Sequence, residues 1–273
     1  MNVGMVGAVG DDSWGKDLIS ALTMDGVGTC GIEIKDGQTS GIANIIVDEQ
    51  TGENRILMSP GANFSLRPAD FRSLPFDLPD LLVLQLEIPL DTTLQILKSA
   101  SEEGVEVLFN PAPAQVLPKE AWTAVEHLIV NESEAGIITE SGAEEVDWTQ
   151  WGEHVERIID LDVQHITITL GGRGVVYLDT DLRRFWRFPA EQVTVVDTTA
   201  AGDTFVGAYA VAVTCKNVDV SQAVMWANAA AARTVERSGS QSAIPWLHEV
   251  NPLGSHRQVG KSFEQWARGA ARS

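Results

Sequence analysis

The sequence predicts an α/β fold with three layers, in which helices cover both faces of a mainly parallel central sheet, together with a small β lid. Short runs rich in Val, Ile and Leu alternate with segments of helical spacing, which is typical of parallel sheets covered by helices. A length of 273 residues, with 44% hydrophobic and 21% charged residues, is sufficient for one large folded domain. We expect that domain at 1–250 and a polar, loosely packed tail at 251–273.

The predicted elements follow one another along the whole domain. Strands are expected at 3–9, 81–86, 105–109, 127–130, 165–170, 175–178 and 194–196. Helices are expected at 16–24, 90–100, 148–159, 201–214 and 220–235. The lid is predicted as a β-hairpin at about 39–58, because two strand-like runs flank the polar, Gly-containing cluster 49–54.

Charge and composition exclude several classes of protein. Lys and Arg number 19 and Asp and Glu 38, so the net charge of −19 repels a phosphate backbone, and nucleic-acid binding is not expected. Since no run reaches the length of a membrane span and no secretory signal opens the chain, we expect no membrane association. The expected compartment is the cytoplasm, with the nucleus as a second one in a eukaryotic cell. Cys30 and Cys215 are too few for a disulfide framework and are expected as buried thiols.

A phosphate-binding loop of the G-x-x-x-x-G-K type is approached but not matched at 10–17. Asp17 stands where that loop has the Ser or Thr that holds Mg²⁺. Asp11 and Asp12 would in addition repel the phosphates that the amides of the loop bind. We therefore interpret this segment as a turn between strand and helix with acidic caps.

The strongest chemical signal lies at 195–205, where a predicted strand leads through small residues into a helix. The free N–H groups at the start of such a helix form an anion site, and Asp203 lies beside them. A carboxylate next to an anion site suits phosphoryl transfer to a hydroxyl, because it can orient the alcohol and take its proton. On physical grounds, an acidic residue that merely stabilises the helix start is an equally good interpretation.

Six motifs resemble those of the ribokinase-like, or PfkB, family of carbohydrate kinases, and they stand in the family's order. They cover nearly the whole chain, at 110–114, 131–134, 169–174, 197–205, 228–232 and 239–246. Each motif is weak by itself, whereas six in the correct order are specific. The resemblance implies the family's α/β fold and an ATP-dependent transfer of phosphate to a sugar hydroxyl. The expected sugar is D-ribose, with D-ribose 5-phosphate as the product.

On the side of the sugar, the resemblance implies roles for five residues. Asp203 would be the general base toward the primary hydroxyl, and the amides of Ala201, Gly202 and Asp203 would form the anion hole. Glu87 and Asn110 would contact the sugar. Both follow predicted strands, and ligands of open α/β sheets bind beyond the carboxyl ends of strands. A solvated Glu87 and an Asn110 in a loop fixed by prolines are the alternatives.

On the side of the nucleotide, the resemblance places Asn131 near the phosphates and Glu134 at the Mg²⁺ that accompanies ATP. The same two residues have the spacing of a capping box, and both interpretations can hold together. Residues 169–174 also read as a hairpin turn, in which Arg173 would supply local positive charge. The implied ATP-binding residues are Asn131, Thr169, Leu170, Gly171, Gly172, Arg173, Gly174, Gly202 and Asn228.

A monovalent cation, usually K⁺, is implied beside the anion hole. Its ligands would be the Asp197 carboxylate and carbonyls near Thr199, Thr234, Arg237 and Gly239, and the remaining ligand position is Ala243. Ala243 stands where the family commonly has Ser, so this position brings no hydroxyl.

The chain departs from the family pattern at its start. Met1–Gly7 aligns with an interior strand of the family, so the usual opening, with its sugar clamp and Gly-Gly-Lys-Gly-Ala-Asn motif, is not found, and weak catalysis is one expectation. Two alternatives to a ribose kinase follow. One is a kinase of another sugar or of a nucleoside, similar to fructokinase or adenosine kinase, and the other is a truncated nucleotide-binding protein. The lid is also a candidate surface for a homodimer, because an isolated two-stranded hairpin is marginally stable.

Overall fold

The computed structural model describes residues 1–47, 54–75, 78–141, 147–150, 152–250 and 261–265. By their internal contacts the residues divide into two units. Unit 1 comprises Met1–Leu78 and Leu86–Ser99, and unit 2 comprises Pro79–Gln85 and Ala100–Ser273. A single domain at 1–250 stays a prediction.

Unit 1 begins with a strand, a crossover helix and a second strand. β1 (Gly4–Gly10) pairs in parallel with β2 (Gly28–Lys35), and α1 (Ser13–Met24) connects them. α1 begins earlier than predicted because the Asp12 carboxylate caps it and accepts the Gly15 amide at 2.8 Å. The acidic cap predicted in place of a phosphate-binding loop is therefore confirmed. β2 was not predicted, because glycines and charged residues interrupt its apolar pattern.

The segment predicted as a lid is an antiparallel hairpin in unit 1. β3 (Ile42–Val47) pairs with β4 (Asn54–Ser59), and the register joins Ile42 to Ser59 at the open end. The predicted hairpin is thus confirmed, while 48–53, which hold most of the predicted turn cluster, lie outside the described residues. Dimer formation through this hairpin stays a prediction.

Unit 2 contains a seven-stranded sheet. Its strands are β5 (Leu82–Leu84), β6 (Val107–Phe109), β7 (His127–Asn131), β8 (His165–Thr169), β9 (Val175–Asp179), β10 (Arg184–Phe188) and β11 (Lys261–Ser262). In space they follow their order in the chain; the pairs from β5 to β8 are parallel and those from β8 to β11 antiparallel. Because parallel strands end at one edge of a sheet, Asn110, Asn131 and Thr169 are neighbours along that edge.

Helices alternate with strands along the chain, as the alternation of patterns predicted. They are α2 (Leu90–Glu103), α3 (Lys119–Trp122), α4 (Glu132–Ile138), α5 (Glu153–Ile159), α6 (Ala201–Val213) and α7 (Val220–Thr234). α6 and α7 pack with the sheet in one core that includes the buried side chains of Tyr177, Phe205 and Tyr209. The prediction of an α/β fold with a mainly parallel sheet is confirmed.

Two local predictions are wrong, and a third, the loose tail, is described only at 261–265. Residues 194–196 form no strand: Val195 and Val196 are each 60% exposed, and the Val196 amide donates to the carbonyl of Val235, at the end of α7. The helix predicted at 148–159 begins only at Glu153. The described part of the predicted loose tail is packed, because β11 pairs with β10 and Phe263 is buried. Residues 251–260 and 266–273 of that tail lie outside the described residues.

The cysteines and the helix lengths bear on two further expectations. Cys30 and Cys215 are exposed rather than buried, because Cys30 lies on the short sheet of unit 1 and Cys215 follows the end of α6. Among the helices that the structure describes, none combines the length and the hydropathy needed to span a bilayer.

Two stacked histidines at the starts of β7 and β8 form a buried polar cluster. The ring centroids of His127 and His165 lie 4.8 Å apart, and Nδ1 of His127 lies 2.8 Å from the hydroxyl of Tyr209. Nδ1 of His165 lies 2.9 Å from the hydroxyl of Tyr177. Burial, followed by the charge of His165, lowers the pKa of His127 to about 3. Glu106 lies 3.4 Å from Nε2 of His127, but this carboxylate is half exposed and does not offset the burial.

We expect stability to fall as the pH decreases below about 6.5, the ordinary pKa of histidine. Since His127 stays neutral in the fold until about pH 3, protons bind preferentially to the unfolded chain between these two values. The cost is roughly 1.4 kcal/mol per pH unit for one such histidine. Thermal unfolding at a series of pH values measures it. His127→Gln should flatten the pH dependence relative to the exposed control His248→Gln, and equal slopes for both variants would contradict the assignment.

Candidate active site

α6 begins without a capping side chain, unlike several other helices. α1, α4 and α7 each begin behind a side chain that accepts an amide of the first turn, from Asp12, Asn131 and Asp219. α6 begins behind Ala200, which has no side-chain oxygen and adopts a left-handed conformation with a φ of 60°. Such a conformation costs a residue other than Gly roughly 1–2 kcal/mol, so the surrounding contacts must hold it in place.

The first amides of α6 are consequently available to a ligand. The Ala201 amide donates to the Thr198 carbonyl at 3.3 Å, and the Thr204 amide makes the first helical bond at 2.9 Å. Between them, the amides of Gly202 and Asp203 have no acceptor within the part of the chain that the structure describes. Of the three amides predicted to form an anion hole, those of Gly202 and Asp203 are thus without an acceptor among the described residues, whereas the Ala201 amide already donates to Thr198.

Gly202 leaves open space beside these amides. A Cβ at this position would meet no atom within 4 Å. Glycine destabilises a helix by about 1 kcal/mol relative to alanine, and no close packing of neighbours requires it here. The position is open, so an anion can approach the start of the helix there.

Two carboxylates lie within electrostatic reach of one another at the starts of α6 and α4. Asp203 is exposed, and none of the ion pairs among the described residues involves it. The Glu134 carboxylate accepts the Asn131 amide at 2.8 Å, and the Glu134 amide donates to the Asn131 side chain at 2.8 Å. These two bonds confirm the predicted capping box. Partial burial raises the pKa of Glu134, and the charge of Asp203 raises it further. The charge of the predicted base thus acts on the predicted Mg²⁺ ligand.

A third carboxylate joins the loop before α6 to the loop after α7. Oδ1 of Asp197 accepts the Thr199 amide at 2.9 Å, and Oδ2 accepts the Gly239 amide at 3.0 Å. The bonds from Gly239 and from Thr199 lower the pKa of Asp197 to about 2. The Val235 carbonyl reinforces the link by accepting the amides of Val196 and Asp197. Three of the residues predicted around a monovalent cation are therefore in direct contact.

The other predicted cation positions are engaged in local bonds. The Thr234 carbonyl accepts the Arg237 amide at 3.1 Å, and the Arg237 side chain pairs with Glu249. Ala243 is buried and contributes no side-chain oxygen. Clusters of three or more His, Cys, Asp or Glu side chains that could hold a metal ion do not occur among the described residues. A cation at this place would therefore depend on Asp197 and on backbone carbonyls.

The turn between β8 and β9 contains the largest group of predicted nucleotide residues. Thr169 ends β8, and the antiparallel pairing of β8 with β9 confirms the hairpin. Gly171 and Gly174 have φ values of 53° and 97°, which favour glycine. A Cβ at Gly174 would lie 2.0 Å from the carbonyl oxygen of Phe188, whereas at Gly172 it would meet no atom within 4 Å.

Three predicted nucleotide-binding side chains are already engaged. Arg173 forms an ion pair with Glu132, at the start of α4, and this bond raises the pKa of Arg173. The Asn228 side chain donates to the Pro189 carbonyl at 2.9 Å. Leu170 is buried, and its backbone is engaged as well, because its amide donates to the Gly174 carbonyl and its carbonyl accepts the Arg173 amide. The positive charge predicted at Arg173 therefore has a counter-ion within the protein.

The two residues predicted to contact the sugar differ in their surroundings. Asn110 follows β6, and its side-chain amide donates to the Ile129 carbonyl of β7 at 2.8 Å, which fixes its orientation. Glu87 is exposed and belongs to unit 1, whereas the other predicted site residues belong to unit 2. The structure thus positions Asn110 at the strand ends, and the role of Glu87 stays a prediction.

Sequence reasoning missed two contacts at this site. One is the ion pair between Glu132 and Arg173, and the other is a buried hydroxyl pair, Thr204 with Thr234. The partners are separated by 41 and 30 residues, respectively. Local spacing carries no signal for contacts at such separations.

Comparisons with known proteins identify the family of the chain. A family model described as pfkB family carbohydrate kinase matches residues 1–247. The ribokinase of Schizosaccharomyces pombe is 36% identical over 252 residues, which are 91% of this chain and 78% of that protein.

Solved structures give the same result. The Thermotoga maritima ribokinase is 34% identical with a TM-score of 0.77, covering 90% of this chain and 79% of that one. The Arabidopsis thaliana ribokinase complexed with ribose and ATP is 26% identical with a TM-score of 0.76, covering 89% and 79%. Since the family model matches most of the chain, the chain belongs to the pfkB family of carbohydrate kinases, which are phosphotransferases with an alcohol group as acceptor.

Proposed function

We propose that this chain transfers the γ-phosphoryl group of ATP to the primary hydroxyl of D-ribose and forms D-ribose 5-phosphate. The observation that carries the proposal is the uncapped start of α6, where two unbonded amides lie beside the Asp203 carboxylate. Relatives named ribokinase, at 36% and 34% identity, support ribose as the sugar. The Arabidopsis ribokinase, which was solved with ribose and ATP, supports the same pair of substrates.

In this proposal Asp203 acts as the general base. Its carboxylate accepts a hydrogen bond from the primary hydroxyl and takes the proton as the hydroxyl oxygen bonds to the γ-phosphorus. The bond from the γ-phosphorus to the bridging oxygen breaks, and ADP leaves with that electron pair. The amides of Gly202 and Asp203 donate to the oxygens of the group in transfer. Because the helix start is fixed beforehand, these donors need no reorganisation during the reaction.

The carboxylates also fit the Mg²⁺ that accompanies ATP. The charge of Asp203 contributes to the raised pKa of Glu134, and a divalent cation nearby would relieve this repulsion. Mg²⁺ usually binds through one or two carboxylates together with phosphates and water. Glu134 would hold the ion through one oxygen or a water while its other oxygen remains in the capping box. When bound, the ion would neutralise charge on the β- and γ-phosphates.

The remaining predicted residues are assigned to ATP and to a monovalent cation. Asn131, Asn228 and the backbone of 169–174 would contact the nucleotide. For Arg173 to meet a phosphate it must exchange its ion pair with Glu132 for the ligand. A K⁺ ion would be held by Asp197 and by backbone carbonyls at 199, 234, 237 and 239, and it would add positive charge beside the anion hole.

Replacing the base should remove most of the activity. Asp203→Asn is expected to lower kcat roughly 10²- to 10⁴-fold with an unchanged melting temperature, because the amide cannot take the proton. Release of ADP in the presence of D-ribose measures the rate. Asp219→Asn makes the same change at the start of α7 and should be neutral, since Asn caps a helix as well as Asp does. A wild-type rate for Asp203→Asn would refute the assigned role.

A methyl group in the open space at position 202 should raise the stability of α6 and lower the activity. Gly202 and Gly207 are both exposed in α6, and a Cβ at either would meet no atom within 4 Å. Alanine should therefore stabilise the helix at both positions, by up to about 1 kcal/mol. We expect Gly202→Ala to lose roughly tenfold or more in kcat/KM, because its methyl covers the amides, and Gly207→Ala to keep full activity. Equal activities would exclude the proposed anion hole.

A panel of acceptors tests the identity of the sugar. D-ribose should give the highest kcat/KM among D-ribose, 2-deoxy-D-ribose, D-fructose and adenosine. A higher kcat/KM for another acceptor would make that acceptor the proposed substrate in place of ribose and leave the phosphotransferase assignment intact. ATP binding in calorimetry without turnover of any acceptor would instead favour a nucleotide-binding protein.

A further inference from the structure

A buried hydroxyl pair connects α6 to α7 next to the candidate base. Oγ1 of Thr204 and Oγ1 of Thr234 lie 2.9 Å apart, and the two residues are 4% and 0% exposed. Oγ1 of Thr234 also lies 3.3 Å from the carbonyl oxygen of Ala230, one turn earlier in α7. Thr204 directly follows Asp203 in the first turn of α6. The pair therefore lies immediately behind the proposed reaction site.

The Thr204 hydroxyl depends on Thr234 for its hydrogen bond, whereas the Thr234 hydroxyl also has the Ala230 carbonyl as an acceptor. In one arrangement Thr204 donates to Thr234, and Thr234 donates to the Ala230 carbonyl, which uses both protons. Removing one hydroxyl leaves the other buried without this partner. A buried polar group that loses its partner costs more than the net value of the bond, so the first turn of α6 would shift or open to reach water.

The remaining contacts between these helices do not fix the first turn of α6 in the same way. Phe205, Tyr209, Ala223 and Ala227 belong to one apolar cluster, and apolar burial is not directional. The hydroxyl pair, in contrast, sets a distance and an angle at the first turn. Thr234 directly precedes Val235, whose carbonyl accepts two amides of the loop before α6. The left-handed Ala200 needs such support, because its conformation is intrinsically unfavourable.

We propose that Thr234 is a positioning residue for phosphoryl transfer: through the Thr204 hydroxyl it holds the first turn of α6 so that Asp203 and the two unbonded amides meet the reacting group. This inference rests on the proposed function. It predicts that Thr234 affects the rate of the chemical step more than the binding of either substrate, because it touches neither.

The test compares variants that differ in a single hydroxyl. Thr234→Val keeps the shape of the side chain and removes the hydroxyl, and Thr234→Ser keeps the hydroxyl. Thr139→Val is the matched control, since Thr139 is buried and its hydroxyl donates to the Ala135 carbonyl at the end of α4. We expect Thr234→Val to lower kcat roughly three- to tenfold with KM for ATP and ribose changed less than about twofold. Thr234→Ser should restore kcat, and Thr139→Val should keep it.

Hydrogen exchange supplies a readout that does not require turnover. The Thr204 amide is protected by its bond to the Ala200 carbonyl. Thr234→Val should accelerate its exchange roughly three- to tenfold, and Thr139→Val should not. If the wild type phosphorylates no acceptor, the proposed function fails while the exchange result still decides whether Thr234 holds the first turn.

Several results would overturn the proposal. They are a wild-type kcat in Thr234→Val, an equal fall of kcat in Thr139→Val, a loss confined to KM, or unchanged exchange at Thr204. If Thr234→Val does not fold, Thr234→Ala and Thr234→Ser replace the comparison, because these two differ in the same hydroxyl in a smaller side chain. Equal kcat in that second pair would likewise overturn it.

Discussion

The Asp197 carboxylate is the interaction on which the candidate site depends. It accepts amides from Thr199 and Gly239, two positions that lie on either side of α6 and α7 in the chain. Hydrogen bonds to a charged acceptor are among the stronger ones in proteins, and both oxygens of this carboxylate are used. The loop before α6 is thereby held to the loop after α7. This link between the two loops lies outside α6. It supports the left-handed Ala200 and the two unbonded amides that follow it in the chain.

Stability and function make opposite demands at the start of α6. Asp12, Asn131 and Asp219 satisfy the first amides of their helices, which is the stable solution. At α6 the corresponding position is Ala200, so the fold leaves two donors unbonded and a glycine where alanine would be the better helix former. The neighbouring helices contribute the rigidity that the first turn of α6 lacks. Sites for anions are built in this way from backbone that is held in place by its surroundings.

Local patterns predicted most of the architecture and part of the site. The apolar runs at 127–130 and 165–170 predicted strands because each is buried on both faces. Asn131 and Glu134 predicted a capping box because they lie three positions apart. The same reasoning failed at 194–196, where an apolar pair lies exposed with no neighbouring strand. It could not reach the ion pair of Arg173 or the Thr204 and Thr234 pair, since tertiary packing rather than periodicity brings these residues together.

The hairpin turn after β8 has a practical consequence for directed evolution. Gly174 has neither the backbone angle nor the space for any side chain, and Gly171 shares the unfavourable angle. Gly172, which lies between them, has neither the positive φ nor a close neighbour, and a side chain there would enter open space. Substitutions in this turn can therefore be concentrated at position 172, whereas a side chain at 174 would collide with the carbonyl of Phe188.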